Sequence, residues 1–214
     1  EVALACNARV STPQTNLGLP ELQLGIIPGF GGTQRLPRLV GLAQAIKMML
    51  TSAPVKAPAA ASMGLVDILV PSQDKLIPEA KKLALEIAVG RVPRQRSLFR
   101  TDKIEPLGEA LQIIDFARTQ AAKQARGLLH PQYCLDAIQA GVENGGLAGL
   151  HSEGVAFAKS AALDTHKALV HIFFAQRSTK KIKGVTDQPG LRPRPINTVA
   201  VLGGGLMGSG IATA

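Results

Sequence analysis

The sequence predicts an α/β chain, and three observations carry that prediction. Short apolar runs alternate with helical patterns as far as about residue 90. From Glu105 onward only helical patterns and polar breaks occur until the Pro/Gly-rich stretch Gly184–Pro195. The chain then closes on a β-branched run, Ile196–Leu202, followed at once by GGGLMGSGIATA. The division read from these shifts is 1–90, 91–183, 184–195 and 196–214.

Residues 1–8 repeat at helical spacing, and Arg9–Thr12 read as a short strand. TPQTNLGLP is rich in turn formers, Glu21–Ile27 is a short apolar run, and IPGFGGTQRLPRL reads as a loop. Leu42, Ala45, Ile46, Met49 and Leu50 recur at a period of 3.6 and predict an amphipathic helix. A short helix over Ala57–Met63 ends at Gly64, ahead of a strand over Leu65–Val70. Asp74–Val89 is a helix with Leu76, Ala80, Leu83, Ala84 and Ile87 on one stripe. Arg91–Lys103 is basic and irregular. Helices follow over Leu107–Arg126 and Pro131–Val142, with a break at ENGGLAG. Ser152 to about Lys181 reads as one helix, about 45 Å long at 1.5 Å per residue.

Composition excludes several classes. Of the 214 residues 46% are apolar and 18% charged, so the chain can bury a core. Aromatics make up 3%, which argues against base stacking on nucleic acid. The formal net charge of +9 suits a polyanionic partner, which includes small phosphorylated ligands. The basic residues are spread along the chain, with local groups at Arg91, Arg94, Arg96 and Arg100 and at Lys180, Lys181 and Lys183 that read as a solvated face or exposed linker. Cys6 and Cys134 have apolar neighbours and no CxxC spacing, so they read as buried free thiols. The four histidines lack a metal-ligand spacing, and no apolar run is long enough to span a bilayer. Both ends of the chain fall inside helix-like runs and look like cuts.

Gly203, Gly204, Gly205, Leu206, Met207 and Gly208 satisfy GxGxxG between a strand pattern and a helix pattern. In that context the first glycine permits a tight turn and the second a close approach of backbone to a pyrophosphate. The third lets the helix pack on the strand. The reading is the first strand–turn–helix of a Rossmann domain with NAD as cofactor. The acidic residue expected roughly 20 positions further on would lie past Ala214.

Glu1-Val2-Ala3-Leu4-Ala5-Cys6-Asn7-Ala8-Arg9, Gly18-Leu19-Pro20-Glu21 and Gly25-Ile26-Ile27-Pro28-Gly29-Phe30-Gly31-Gly32-Thr33-Gln34-Arg35-Leu36 occur in that order. Together they resemble the central signature of the enoyl-CoA hydratase (crotonase) family. The resemblance implies the C-terminal half of a crotonase fold over residues 1–90, with Glu1 and Glu21 as the catalytic pair. Two carboxylates suit the hydration of an α,β-unsaturated thioester, in which a water is deprotonated towards Cβ and a proton is delivered to Cα. Retention of both acidic positions favours hydration, with Δ3–Δ2 isomerisation as a side activity.

A hydratase signature followed by a dinucleotide motif resembles the multifunctional β-oxidation proteins, and GGGLMGSGIATA looks like their plant peroxisomal branch. That implies fatty acyl-CoA thioesters as substrates, NAD-dependent oxidation of the 3-hydroxyacyl product, and a peroxisomal (glyoxysomal) location. It also makes ALVHIFFAQR part of a linker helix. The oxyanion donors of the family lie upstream of Glu1, so this segment alone is expected to be inactive. Two alternatives stand beside this reading: a basic adaptor for nucleic acid or another polyanion, and a non-catalytic scaffold of the same fold.

Overall fold

Gly32–Val40 forms a helix in the computed structural model, where the sequence suggested a loop. The reason is burial. Eight of its nine residues are buried, including Thr33, Gln34 and Arg38, so it has no polar face to betray a helical period. Pro37 sits inside it and removes one N–H from the ladder. The Arg38 guanidinium donates to the Gln34 carbonyl at 2.7 Å and to the Gly141 carbonyl at 2.8 Å.

The structure describes residues 1–184, 186, 190 and 194–214. They form two compact units, Glu1–Phe173 and Phe174–Ala214. The first unit begins with α1 (Val2–Ala5), β1 (Val10–Ser11) and β2 (Asn16–Leu17). A 3-10 turn over Glu21–Leu24 leads to α2 (Gly32–Val40) and α3 (Leu42–Thr51). Next come β3 (Val55–Lys56), α4 (Ala57–Ser62), β4 (Ile68–Leu69) and α5 (Gln73–Ala88). After a second 3-10 turn at Ser97–Phe99 the chain is helical, with α6 (Leu107–Gln124), α7 (His130–Asn144), α8 (Gly146–Ala162) and α9 (Asp164–Ser178). α10 (Leu206–Thr213) lies in the second unit.

The β structure is slight. β1 pairs with β4 in parallel, Val10 opposite Ile68, and β2 pairs with β3 antiparallel, Asn16 opposite Lys56. Arg9 fastens the first pair. It is buried, its Nε donates to the Leu65 carbonyl at 2.7 Å, and its Nη2 lies 3.0 Å from Asp67.

One apolar core runs through the first unit. Leu36, Leu39, Leu42 and Met49 of α2 and α3 meet Ile114 of α6 and Leu135 and Ile138 of α7. α7 and α8 pack against each other through glycine. A Cβ on Gly149 would lie 2.7 Å from the Gly141 Cα, closer than real Cβ atoms approach anything.

Three sequence expectations change here. The single helix from Ser152 is two, because Leu163 is extended (ψ 143°) between α8 and α9. Asp164 opens the new helix with a carboxylate in its first turn, where the helix dipole favours it. The strand over Ile196–Leu202 is not formed. Among the described residues no strand pairs with that run, and a strand needs a ladder. Cys6 is exposed, and only Cys134 is a buried thiol, because α1 ends at Ala5 and the chain turns outward. The apolar stripe of α5 contains no buried residue and faces an open groove shared with Asn7, Ala8 and Val10. Most of the Pro/Gly stretch 184–195 lies outside the described residues.

Candidate active site

The segment Phe30–Thr33 turns sharply into α2. Gly31 adopts φ +93°, a left-handed conformation that glycine tolerates best. This leaves four successive N–H groups unpaired at a helix start, an electropositive nest. Two carboxylates share them alternately. Glu1 Oε1 accepts from Phe30 N and Gly32 N, both at 2.8 Å. Glu153, reaching in from α8, accepts from Gly31 N at 2.6 Å on Oε1. Its Oε2 accepts from Thr33 N at 3.0 Å and from the Thr33 hydroxyl at 2.5 Å. Gly32 has no room for a side chain, since a Cβ there would lie 2.7 Å from Glu1 Oε1 and 2.8 Å from Pro28 Cβ.

Glu21 opens the first 3-10 turn. Its Oε2 is buried without a hydrogen-bond partner. Burial pushes its carboxyl above the usual glutamate range, and the charge of Glu1 pushes the same way, against a backbone hydrogen bond. Two histidines hold the turn from behind. His130 Nε2, on α7, lies 3.1 Å from the Leu22 carbonyl, and His166 Nδ1, on α9, lies 2.7 Å from the Leu24 carbonyl. Each can make that bond only as the N–H donor.

Burial also raises the carboxyl of Glu153, and the nearby charge of Glu1 adds to this. The Thr33 hydroxyl and the N–H groups of Gly31 and Thr33 oppose the rise. Gln34 completes the setting: its Nε2 donates to the Ala137 carbonyl at 2.7 Å and to Thr33 Oγ1 at 3.0 Å. Beside Glu1 opens a largely apolar cleft of about 510 Å³ lined by Leu4, Leu17, Leu19, Leu36 and Met48 among others.

The sequence pattern marked Glu1 and Glu21 and missed Glu153, His130 and His166. A signal for Glu153 did exist. The buried positions of α8 are Gly149, Glu153, Ala156 and Ser160, spaced 4, 3 and 4, so Glu153 is the one charge on a stripe of small residues. The histidines carried no such mark. Among the described residues no group of three or more His, Cys, Asp and Glu could hold a metal ion.

In the second unit Gly203 adopts φ +109°, and α10 begins at Leu206. A Cβ on Gly208 would overlap the Gly203 carbonyl oxygen. The first and last glycines of the motif are thus required by the backbone itself. No helix among the described residues is long and apolar enough to cross a membrane.

Residues 1–98 match the enoyl-CoA hydratase/isomerase family. The full chain is 60% identical to the glyoxysomal fatty acid β-oxidation multifunctional protein MFP-a of Cucumis sativus and 55% identical to the peroxisomal multifunctional protein MFP2 of Arabidopsis thaliana. It spans 29% of the length of each. Among solved structures, a carnitinyl-CoA dehydratase from Mycobacterium avium superposes over 82% of this chain and 55% of its own, with TM-score 0.52 and 21% identity. An enoyl-CoA hydratase/isomerase from Pseudoalteromonas atlantica covers 81% and 55%, with TM-score 0.51 and 22% identity. These two speak for the fold alone, which is crotonase-like. Along its whole length the chain is homologous to a segment of the plant peroxisomal and glyoxysomal fatty acid β-oxidation multifunctional proteins, and its first 98 residues match the enoyl-CoA hydratase/isomerase family.

Proposed function

We propose that the natural polypeptide containing this segment hydrates trans-2-enoyl-CoA to 3-hydroxyacyl-CoA in peroxisomal fatty acid β-oxidation, with Glu1 and Glu21 as its catalytic carboxyl groups. The observation that carries the reading is the contrast between the two carboxyl groups. One carboxylate is seated on two backbone N–H groups, and the other is half-buried with a free oxygen and a raised affinity for its proton. Such a pair can flank one water. An O–H bond of the water breaks, its oxygen bonds to Cβ, and a proton reaches Cα, so the sum is the addition of H and OH across the double bond. Glu21 suits the proton-holding role because burial favours its neutral form. The apolar cleft beside Glu1 would take the acyl chain. Isomerisation of Δ3 to Δ2 double bonds is a side activity within reach of the same pair.

On this reading residues 1–90 are the second half of the hydratase core and 91–183 the helical region. Residues 184–195 are a linker, and 196–214 begin a 3-hydroxyacyl-CoA dehydrogenase. The glycines Gly203, Gly204, Gly205 and Gly208, with Leu206 and Met207, fit a dinucleotide turn, as the φ of Gly203 and the tight contact at Gly208 support. NAD bound there would accept the hydride from the 3-hydroxyacyl product. The test is the loss of the conjugated enoyl-thioester absorbance in the full-length protein. Glu1→Gln and Glu21→Gln should each slow it by roughly 10²–10⁴-fold, the range for a lost general acid or base. Wild-type rates in both variants would sink the proposal, and so would rapid hydration by residues 1–214 alone.

A further inference from the structure

We propose that Glu153 is a positioning residue for hydration: from α8 it fixes the Phe30–Thr33 turn on which the Glu1 carboxylate is seated. This rests on the assignment of Glu1 to the hydration chemistry. The geometry is an alternation. Of four consecutive N–H groups, the first and third serve Glu1, and the second and fourth serve Glu153. The two carboxylates thus hold one strip of backbone between them. Glu153 is 2% exposed, 120 residues distant in sequence from Thr33, and all three of its bonds fall on this turn.

A buried carboxylate without a cation partner is costly unless its acceptor capacity is filled. Here three donors fill it, and no Lys or Arg forms an ion pair with it among the described residues. A neutral residue that filled the same space would avoid that cost. What it could not supply is acceptors facing both Gly31 N and Thr33 N at once. A glutamine has one acceptor oxygen, and its amide nitrogen would face one of those N–H groups donor to donor. The turn would then shift, and with it the two N–H groups that aim the Glu1 carboxylate.

The experiment is steady-state hydration kinetics of the full-length protein carrying Glu153→Gln, beside Glu1→Gln and the wild type. A turn displaced by a fraction of an ångström to an ångström should lower kcat about 10- to 100-fold, because misplacement by that distance is costly even from afar. KM should stay within about twofold, because Glu153 does not line the apolar cleft. A purely structural role would lower the melting temperature and leave kcat of the folded fraction intact. Should Glu153→Gln not fold, Thr33→Val removes the hydroxyl that donates to Glu153 and accepts from Gln34 Nε2, leaves the Thr33 N–H in place, and is expected to lower kcat several-fold at constant KM. A folded Glu153→Gln, or failing that Thr33→Val, with wild-type kcat while Glu1→Gln is inactive overturns the positioning role alone. Wild-type kcat in Glu1→Gln as well overturns the assignment of Glu1, and the positioning role with it.

Discussion

Replacing Gly149 and Gly154 by alanine makes the same chemical change on the same helix, five residues apart, and the structure predicts opposite signs. Both lie in α8 (Gly146–Ala162). In a helix interior alanine is favoured over glycine by about 0.5–1 kcal/mol, through backbone entropy. At Gly154 that is the whole effect, since a Cβ there meets nothing within 4 Å. At Gly149 a Cβ would overlap Gln34 Oε1 and lie 2.7 Å from the Gly141 Cα. Backbone cannot step aside as a side-chain tip can, so α7 and α8 must part. Overpacking of this kind costs about 1–3 kcal/mol. Displacing Gln34 from the Ala137 carbonyl and Thr33 Oγ1 costs about 1–3 kcal/mol more. After the helix-propensity gain, Gly149→Ala should lose about 1–5 kcal/mol, against a gain of about 0.5–1 kcal/mol for Gly154→Ala. At roughly 2–4 °C per kcal/mol for a unit of this size, the melting temperature falls by about 2–20 °C in one variant and rises by about 1–4 °C in the other. Far-UV circular dichroism reads the melt. The fluorescence of Tyr133 on α7, the single tyrosine in a chain without tryptophan, reads how that helix packs on the core. Shifts of the same sign, or a Gly149→Ala variant as stable as wild type, would refute the close-contact argument.

Two further outcomes follow from burial. Glu21 binds its proton more tightly folded than unfolded, so its contribution to stability is present below the ordinary glutamate pKa and lost as pH rises through the raised folded value. Melting temperatures of Glu21→Gln and wild type should therefore diverge in favour of the variant as pH rises from the ordinary glutamate range through the raised folded value. A difference that does not change over that range would contradict it. For the thiols, Cys6 is exposed, whereas Cys134 is buried and burial drives its pKa far up. A disulfide reagent should titrate one thiol in the native 214-residue chain and two in denaturant, and two in the native chain would refute the burial of Cys134.

What was legible in the sequence depended on whether burial was one-sided. α3 and α6 each have a buried stripe and an exposed face, and their helical period is plain in the residues. α2 is buried nearly all round and contains a proline, so it read as a loop although it is the helix on which the site is built. The break at Leu163 was invisible because no glycine or proline marks it, and the period continues on both sides. Of the site, Glu1 and Glu21 were legible through resemblance of a local motif. Glu153, His130 and His166 act from more than a hundred residues away on backbone groups, and pairing with backbone leaves no residue pattern at the other end.

That distance has an energetic consequence for where the site ends. The family match stops at residue 98, yet the backbone that aims both carboxyl groups is held from beyond it. Gly31 N and Thr33 N are bonded by Glu153, the Leu22 carbonyl by His130 and the Leu24 carbonyl by His166. Without α7, α8 and α9 these four groups lose those partners. Where such a group stays buried the cost is about 1–3 kcal/mol, and a domain's whole stability is about 5–15 kcal/mol. Leu36, Leu39, Leu42 and Met49 would lose Ile114, Leu135 and Ile138 in the same step. The helices after residue 106 are therefore the outer wall of the candidate site, and a change on them reaches Glu1 and Glu21 through hydrogen bonds to backbone.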